Sequence, residues 1–212
     1  MEGPAPTRKR QRLSRERVLD AAIEIARMDG TPSVSMPRVS QALGTTPMSL
    51  YRYVENREAL VRGMLDRATA MLESPALHND PVEEITAVFE AVYQLLRRET
   101  WTVHHFIEGY EGAAEVRSLV KRSLVALEAL GLDRGGAWEA HRALLHYTYG
   151  DVLATGAIRD SRLRYADGID PPTEDDAIIR EFSEAPAEND HIALYRTTLR
   201  RYLSAILGEF ES

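Results

Sequence analysis

Apolar residues recur at three- and four-residue spacing through nearly every long segment of this 212-residue chain. Such spacing places them on one face of an α-helix, whereas a half-buried strand needs apolar and polar residues to alternate. No run alternates for long enough to indicate a strand. The sequence therefore predicts an all-α fold, built either as one medium domain or as a small module joined to a larger one.

Glycines and capping residues divide the N-terminal part into four short helices. Gly30 is suited to end the first helix, and Gly44 is suited to end the second because a tight turn there needs a positive φ. Pro47 takes the first position of the third helix. The predicted N-caps are Ser14, Ser35, Thr46 and Asn56. The residues predicted to face the core are Val18, Ala22, Ile25, Ala26, Val39, Leu43, Leu50, Val54, Leu60, Met64 and Ala68.

A module boundary is predicted at residues 74–80 (SPALHND), where turn-forming residues cluster and helical spacing lapses. A new helix should start there, with Asp80 as the cap, Pro81 in the first turn and Glu83 reaching back. Residues 159–190 hold paired prolines and an acidic run, which predict a long connection. Further helices are predicted over residues 101–107, 113–130, 138–155 and 191–207.

Composition narrows the class of protein. Without cysteine there is no disulfide, thiolate nucleophile or cysteine-ligated zinc, which fits a reducing cytoplasm. No apolar stretch follows the basic residues of MEGPAPTRKRQR, and no later run reaches the roughly 20 residues that cross a bilayer. We therefore expect a soluble cytoplasmic protein without a signal peptide or membrane anchor.

Charge is divided unevenly along the chain. Residues 1–75 hold 12 Lys/Arg and 9 Asp/Glu, whereas the remainder holds 14 and 24. DNA binding depends on the local density of basic groups, so the net charge of −7 does not exclude it. A flexible basic arm at residues 1–13 is predicted to lie along phosphates or enter a minor groove, and a merely solubilising tail is the alternative. The basic residues of the arm and of the adjoining helix start are Arg8, Lys9, Arg10, Arg12, Arg15 and Arg17.

The segment GTTPMSLYRYVENREAL, residues 44–60, has the features of a helix-turn-helix. Two short helices joined by a glycine turn offer one helix face to a DNA major groove. Because Leu50 must face the core, its polar neighbours fall on the outer face and suit base edges and phosphates. A helical hairpin with ordinary surface tyrosines is the alternative. The predicted DNA-binding residues are Arg38, Thr45, Thr46, Pro47, Met48, Ser49, Tyr51, Arg52, Tyr53 and Arg57.

The stretch LGTTPMSLYRYVENREALV resembles the DNA-binding signature of the TetR-type transcriptional repressors. That signature is an LG turn, a variable recognition stretch, L-Y-x-[HY]-[FV], then a basic residue and a leucine. The resemblance covers residues 15–65, where RERVLDAAIEIARMDG is similar to the first helix of the family. The family often has histidine at the position of Tyr53 and lysine at that of Arg57. The matching positions are Leu43, Gly44, Leu50, Tyr51, Tyr53, Val54, Arg57 and Leu60.

The resemblance implies a DNA-binding domain over residues 14–73 and a helical domain for ligand binding and dimerisation over residues 80–212. It also implies a repressor that binds a palindromic DNA operator as a homodimer and is released by a small-molecule effector. Small residues in segment 138–155, and a stripe of apolar and aromatic residues along one side of segment 191–207, fit a dimer interface. Either set of residues could instead belong to the core. The small residues are Ala140, Ala143, Gly150 and Ala154, and the stripe is Tyr195, Leu199, Tyr202, Leu203 and Ile206.

Aromatic and imidazole side chains predict a ligand pocket, since an apolar cavity with a few polar groups is the usual small-molecule site. Plain core is the alternative for each of them. The spacing of the histidines lacks the i, i+4 geometry of a paired ligand, so we expect no metal, and nothing indicates a cofactor. The predicted ligand-binding residues are Trp101, His104, His105, Phe106, Tyr110, His141 and Tyr147, with Tyr149 as a further candidate.

Two other functions compete with a ligand-responsive repressor. A nucleoid-type helix-turn-helix protein would bind DNA without an effector. An all-helical enzyme would use groups such as His104, His105 and Glu108 for acid–base chemistry. The chain contains no nucleophile motif, phosphate loop or carboxylate pair that would support catalysis, so we expect it not to be an enzyme.

Overall fold

A computed structural model of the chain describes residues 12–164 and 191–210. Over these residues the backbone forms α-helices and two 3₁₀ turns, with no strand among them, so the all-α prediction is confirmed. The helices are α1 (Arg15–Asp29), α2 (Met36–Ala42), α3 (Pro47–Leu50), α4 (Arg57–Ala70), α5 (Pro81–Arg98), α6 (Val103–Ile107), α7 (Ala114–Ala129), α8 (Arg134–Arg164) and α9 (His191–Phe210). The 3₁₀ turns are Thr31–Ser33 and Thr100–Thr102.

The described residues divide into two compact units between Ala68 and Thr69, shortly before residues 74–80. In the first unit the apolar faces of α1 to α4 form the core, as helical spacing predicts. Leu43 is half-buried. The other residues predicted to face this core are all buried: Val18, Ala22, Ile25, Ala26, Val39, Leu50, Val54, Leu60, Met64 and Ala68.

Side-chain caps start three of these four helices. Ser14, Ser35 and Asn56 each accept a hydrogen bond from the backbone N–H three residues further on, at 2.8 to 3.4 Å. Thr46 occupies the cap position of α3, but its hydroxyl lies 3.0 Å from that of Ser49 instead of a backbone N–H. The prediction of a Thr46 side-chain cap is therefore wrong.

The second unit packs α5, α7, α8 and α9 against one another around an apolar core. Asp80 starts α5 as predicted, since its carboxylate accepts the backbone N–H groups of Val82 and Glu83 at 2.8 and 3.0 Å. The Glu83 carboxylate does not reach back to the cap. It accepts hydrogen bonds from Arg200 of α9 at 2.6 and 2.7 Å, because two long side chains of opposite charge face each other there.

Helix α8 is longer than the sequence predicts. It continues to Arg164, so residues 159–164 are helical and the expectation of a connection beginning at residue 159 is wrong. The polar residues of this segment show little apolar periodicity, yet helix propagation adds one hydrogen bond per residue without requiring a buried face. The rest of the predicted connection, residues 165–190, lies outside the described residues.

Arg122 of α7 clamps the segment that follows α4. Its guanidinium forms two hydrogen bonds with the Glu84 carboxylate, at 2.6 and 3.0 Å, and donates to the Ser74 hydroxyl at 3.0 Å. It also donates to the carbonyl oxygens of Pro75 and Ala76 at 2.9 and 3.0 Å. These hydrogen bonds from Arg122 lower the pKa of Glu84 against the opposing effect of burial.

We call this arrangement the Arg122 clamp. It holds residues 74–76 through the Ser74 hydroxyl and the backbone carbonyl oxygens of Pro75 and Ala76. None of the helices within residues 12–164 and 191–210 has the length and hydropathy of a membrane-spanning segment.

Candidate nucleic-acid interface and candidate ligand cavity

Helix α3 has one face in the core and one face open to solvent. Leu50 is fully buried, whereas the Met48 side chain is 76% exposed and Tyr51 is 49% exposed. Gly44, at φ 60°, turns the chain sharply between α2 and α3 and adopts a conformation that L side chains rarely take. The helix-turn-helix geometry predicted from residues 44–60 is therefore present.

The outer face of α3 and of the turn after it carries chemically varied side chains. Thr46, Pro47 and Arg52 are exposed, and Ser49 and Thr45 are half-exposed. Hydroxyl and guanidinium groups suit base edges or phosphates, and Met48 offers an apolar contact such as a thymine methyl accepts. The structure therefore places these seven predicted DNA-binding residues on or beside one surface, which we call the recognition face: Thr45, Thr46, Pro47, Met48, Ser49, Tyr51 and Arg52.

The other three predicted DNA contacts bond within the protein. The Arg57 guanidinium donates to the carbonyl oxygens of Val34 and Thr31, at 2.9 and 3.1 Å. The Tyr53 hydroxyl donates to the Leu13 carbonyl at 2.9 Å. These two side chains therefore have a structural role that the sequence reasoning missed.

Arg38 also has a partner within the chain. Its guanidinium pairs with the Asp29 carboxylate at the end of α1, and both side chains are 43% exposed. Contact between DNA and Arg38, Tyr53 or Arg57 stays a prediction.

Part of the predicted basic arm lies beside α1. Arg12 and Arg15 are exposed, and the Arg17 guanidinium donates to the Arg12 carbonyl at 3.3 Å. Arg8, Lys9 and Arg10 lie outside the described residues, so minor-groove binding by the arm stays a prediction.

The second unit contains an apolar cavity of about 100 Å³. Small-molecule sites usually measure about 300–1,000 Å³, so a drug-sized ligand would have to widen it. Most of its wall residues are aliphatic or aromatic, and three are polar: Glu111, His141 and Tyr149. The apolar wall residues are Leu72, Val88, Phe89, Val92, Leu95, Leu96, Phe106, Val116, Leu119, Val120 and Leu145.

His141 is the buried polar group of this wall. It is 4% exposed, and burial lowers its pKa to about 4, so its imidazole is neutral near pH 7. Its ring contacts those of Phe89 and Trp138, with centroid distances of 5.5 and 5.9 Å. Its Nδ1 is 2.8 Å from the Ser123 hydroxyl. Burial also raises the pKa of Tyr149 to about 12, so its phenol stays protonated.

Only part of the predicted ligand set meets at the cavity. Phe106 and His141 line it, as does the further candidate Tyr149. Tyr110 is not part of the wall, but its ring contacts that of Phe106 with centroids 5.6 Å apart. His104 is exposed on α6 and is not part of the wall.

Trp101, His105 and Tyr147 are also absent from the wall. The Trp101 indole donates to the buried Glu99 carboxylate at 2.9 Å, and its ring contacts His105 edge-on. Tyr147 stacks on Tyr195, 5.5 Å away, because it lies on the side of α8 that packs against α9. Ligand contact by these residues has no geometric support in this conformation.

The candidate dimer helices carry both core and surface residues. Tyr195, Leu199 and Leu203 of the predicted stripe are at most 1% exposed and belong to the core of the unit, so only the remainder of α9 is available to a partner. Ala140 of α8 is likewise core. The exposed apolar or small residues on α8 and α9 include Trp138, Ala143, Gly150, Ala154, Leu194 and Tyr202.

No cluster of three or more His, Asp or Glu side chains that could hold a metal ion occurs among the residues that the structure describes.

No family model matches the chain. A stretch of 101 residues, 47% of the chain, is 40% identical to the HTH-type transcriptional repressor DrrR1 of Streptomyces coeruleorubidus and spans 36% of that protein. A stretch of 152 residues, 67% of the chain, is 26% identical to the tetracycline repressor protein class D of Escherichia coli and spans 66% of it. The matched part of the chain thus spans less than two thirds of either relative.

Similarity to solved structures extends over nearly the whole chain. The TetR of Acinetobacter baumannii AYE superposes with a TM-score of 0.67 at 18% identity, covering 94% of this chain and 97% of that one. BioQ of Mycobacterium smegmatis superposes with a TM-score of 0.64 at 18% identity, covering 92% and 99%. The chain has the TetR fold. The resemblance to the TetR-type repressors that residues 15–65 carry is thereby confirmed.

Two of these solved proteins have been captured with a bound partner. BioQ has been solved with its double-stranded DNA operator, and a variant of the Acinetobacter baumannii TetR with minocycline. Both complexes have the TetR fold, with TM-scores of 0.58 and 0.63 to this chain.

Sequence reasoning missed most of the cavity wall in this TetR fold. Tyr149 was only a further candidate, and Glu111 and the apolar residues carried no signal that separates a cavity wall from ordinary core. One signal was present: His141, Leu145 and Tyr149 are spaced by four residues and so lie on one face of α8.

Proposed function

We propose that this protein is a ligand-responsive DNA-binding transcriptional regulator that acts in the cytoplasm as a homodimeric repressor on a palindromic operator. The observation that carries the proposal is the recognition face: one short helix is anchored by a fully buried Leu50 while its other side presents varied polar groups. The operator complex of BioQ and the repressor DrrR1 support it.

Two recognition faces would enter successive major grooves, with half-sites about one helical turn apart. Ser49, Arg52 and Met48 would read base edges, and Tyr51 and Thr46 would hold the backbone. The exposed residues on α8 and α9 would form the dimer contact. The regulator is not an enzyme in this proposal, and it needs neither a metal nor a cofactor.

An effector in the cavity of the second unit would release the operator. The effector can shift the equilibrium between two dimer conformations by no more than the difference between its binding free energies for them. The cavity is small in this conformation, so a ligand that widens it would favour a different arrangement of α5, α7 and α8. The minocycline complex of the Acinetobacter baumannii TetR supports this part of the proposal.

The test is selection of bound duplexes from a random DNA library. The full chain is compared with a Tyr51→Ala, Arg52→Ala double variant and with Lys121→Ala, which removes one exposed cation from the second unit. We expect the full chain and Lys121→Ala to enrich the same inverted repeat, and the double variant to enrich none. Enrichment that is unchanged in the double variant would remove the recognition face from the proposal, and weak binding of all sequences would favour a nucleoid-type protein.

The homodimer has its own test. Tyr202 is 50% exposed on α9, and replacing it by glutamate would place a charge in the proposed contact. We expect the Tyr202→Glu variant to sediment as a monomer and to bind a half-site only weakly. A variant that remains dimeric would move the contact away from α9.

A further inference from the structure

Two side chains hold the backbone immediately before α1. The Tyr53 hydroxyl donates to the Leu13 carbonyl oxygen at 2.9 Å, across 40 positions of the chain. The Arg17 guanidinium donates to the Arg12 carbonyl oxygen at 3.3 Å. Residues 12 and 13 precede the helix, so its internal hydrogen bonds do not hold these two carbonyl groups. Side-chain donors therefore hold the point where the predicted basic arm joins the first unit.

Tyr53 also belongs to the turn that follows α3. Its backbone N–H donates to the Leu50 carbonyl oxygen at 2.8 Å, and its neighbour Arg52 is exposed on the recognition face. A tyrosine side chain has only two rotatable side-chain dihedrals, so packing of the half-buried ring also positions the hydroxyl. The hydroxyl therefore links the end of the recognition face to Leu13.

The Tyr53 hydroxyl has no proton left for a phosphate. A tyrosine hydroxyl carries one proton, and a carbonyl oxygen only accepts, so this proton goes to Leu13. Phosphate oxygens of DNA also need a donor. While the bond to Leu13 is intact, Tyr53 therefore cannot donate a hydrogen bond to the DNA backbone.

The residues before Leu13 carry the densest run of positive charge in the sequence. Four of the five residues 8–12 (RKRQR) are Lys or Arg. Three residues of chain span at most about 11 Å, so the position of Leu13 limits which phosphates Arg10 can reach. A tethered charge binds according to its effective concentration at the phosphate, which a well-placed attachment point raises. Holding Leu13 can therefore strengthen binding by the arm without a contact between Tyr53 and DNA.

We propose that Tyr53 is a positioning residue for the basic arm, residues 1–13. Its hydroxyl holds the Leu13 carbonyl so that the cations of the arm reach the phosphates or the minor groove beside the base pairs that the recognition face reads. This inference rests on the proposed function, which supplies the DNA, and it gives Tyr53 a role there other than direct contact.

The test is a double-mutant cycle in the full chain, on the inverted repeat recovered by the duplex selection. Tyr53→Phe removes the hydroxyl and keeps the ring. The arm variant carries Arg8→Gln, Lys9→Gln, Arg10→Gln and Arg12→Gln, and a further protein combines both sets of changes. Fluorescence anisotropy gives the affinity of each protein for a labelled duplex at several salt concentrations.

We expect Tyr53→Phe to weaken binding by the unmodified chain about threefold to tenfold, the factor that one net hydrogen bond contributes. In the arm variant the same change should weaken binding by less than about twofold, because no charges remain to be positioned. Tyr53→Phe should also lower the slope of log affinity against log salt, and the arm variant should lower it further. A merely structural role would weaken binding equally in both backgrounds.

Tyr51→Phe is the matched control. Tyr51 is 49% exposed on the recognition face, where it is proposed to hold the DNA backbone directly. The effect of Tyr51→Phe should therefore be the same with and without the charges of the arm. Thermal unfolding of each variant checks that it is folded.

The outcomes separate this inference from the proposal beneath it. Equal weakening by Tyr53→Phe in both backgrounds contradicts the positioning role, and so does an unchanged affinity in both. An arm variant that binds as tightly as the unmodified chain also overturns the inference, because the arm then makes no contact with the operator. Each of these results leaves the recognition face intact. If the full chain enriches no duplex, the proposed function fails and the inference fails with it.

Discussion

The recognition face and the cavity are built in opposite ways. The recognition face comes from eight successive residues, 45–52, on and around one short helix, and their exposure follows from the burial of a single leucine. The cavity wall is shared by residues of α5, α6, α7 and α8 and by Leu72 and Glu111 of the connecting segments. The recognition face is thus a local property of the sequence, whereas the cavity is a property of how distant segments pack.

The strongest test of this contrast removes the anchor of the recognition face. Leu50→Ala deletes a fully buried side chain, and we expect it to lower the free energy of unfolding of the first unit by about 2–5 kcal/mol and to abolish operator binding. Met48→Ala, on the exposed side of the same helix, should change stability by less than about 0.5 kcal/mol. Urea unfolding followed by circular dichroism measures both. A small effect of Leu50→Ala would show that the helix is held by other contacts.

A second test concerns the Arg122 clamp. Arg122→Met leaves the carboxylate of the Glu84 side chain, which is 9% exposed, without its arginine partner, and we expect a loss of about 1–3 kcal/mol in the stability of the second unit. Chemical unfolding, monitored by a probe in that unit, reports the loss. Lys121→Ala, a change at the neighbouring exposed position, is the control.

The ion pair between Glu84 and Arg122 also predicts that stability depends on pH. The pKa of Glu84 is lowered in the folded protein. Its contribution to the free energy of unfolding is therefore complete above the pKa of the unfolded state, near 4.5. The contribution is lost as the pH falls through the lower folded value. Glu84→Gln should therefore lose less stability than the unmodified chain between pH 5 and pH 3, as thermal melts at each pH would show. Parallel curves would mean that other carboxylates govern acid unfolding.

A third test asks whether Arg57 supports the fold or contacts DNA. Its two hydrogen bonds to backbone carbonyls predict that Arg57→Ala lowers the stability of the first unit by about 1 kcal/mol. Denaturant unfolding in the absence of DNA measures this. If Arg57 only bound phosphate, its removal would leave stability unchanged and would lower both the DNA affinity and the salt dependence of binding.

The smallest effect on stability is expected at Arg52, which is exposed on the recognition face. Arg52→Ala should leave the free energy of unfolding within about 0.5 kcal/mol of the unmodified protein. Operator affinity should nevertheless fall, and the slope of log affinity against log salt should decrease by about one if the guanidinium contacts a phosphate. An unchanged slope with lost base preference would instead assign Arg52 to a base edge.

These comparisons explain how far the sequence predicts the molecule. Caps at Ser14, Ser35 and Asn56, and the turn at Gly44, were predictable because each depends on a few adjacent residues. The burial of Leu50 and Val54 followed from the same local spacing. Local geometry cannot show that the Arg57 guanidinium reaches two carbonyl groups more than 20 residues away.

The cavity was less predictable because aromatic residues on helices serve core and cavity alike. Tyr147 and Tyr149 are two residues apart on α8, so their side chains point in directions about 200° apart. The first stacks on Tyr195 and the second lines the cavity. Composition marks both as candidates, but only the packing of neighbouring helices decides which one faces empty space.

The Arg122 clamp also sets a rule for recombining such proteins. Residues 74–76 are held by an arginine almost fifty positions later in the chain, so they belong functionally with α5 and α7 even though they directly follow α4. A chimaera that imports a foreign DNA-reading segment should therefore be joined before Ser74. A junction placed after Ala76 would discard the hydroxyl that accepts from Arg122 and risk a length mismatch that the guanidinium cannot accommodate, however well each half folds.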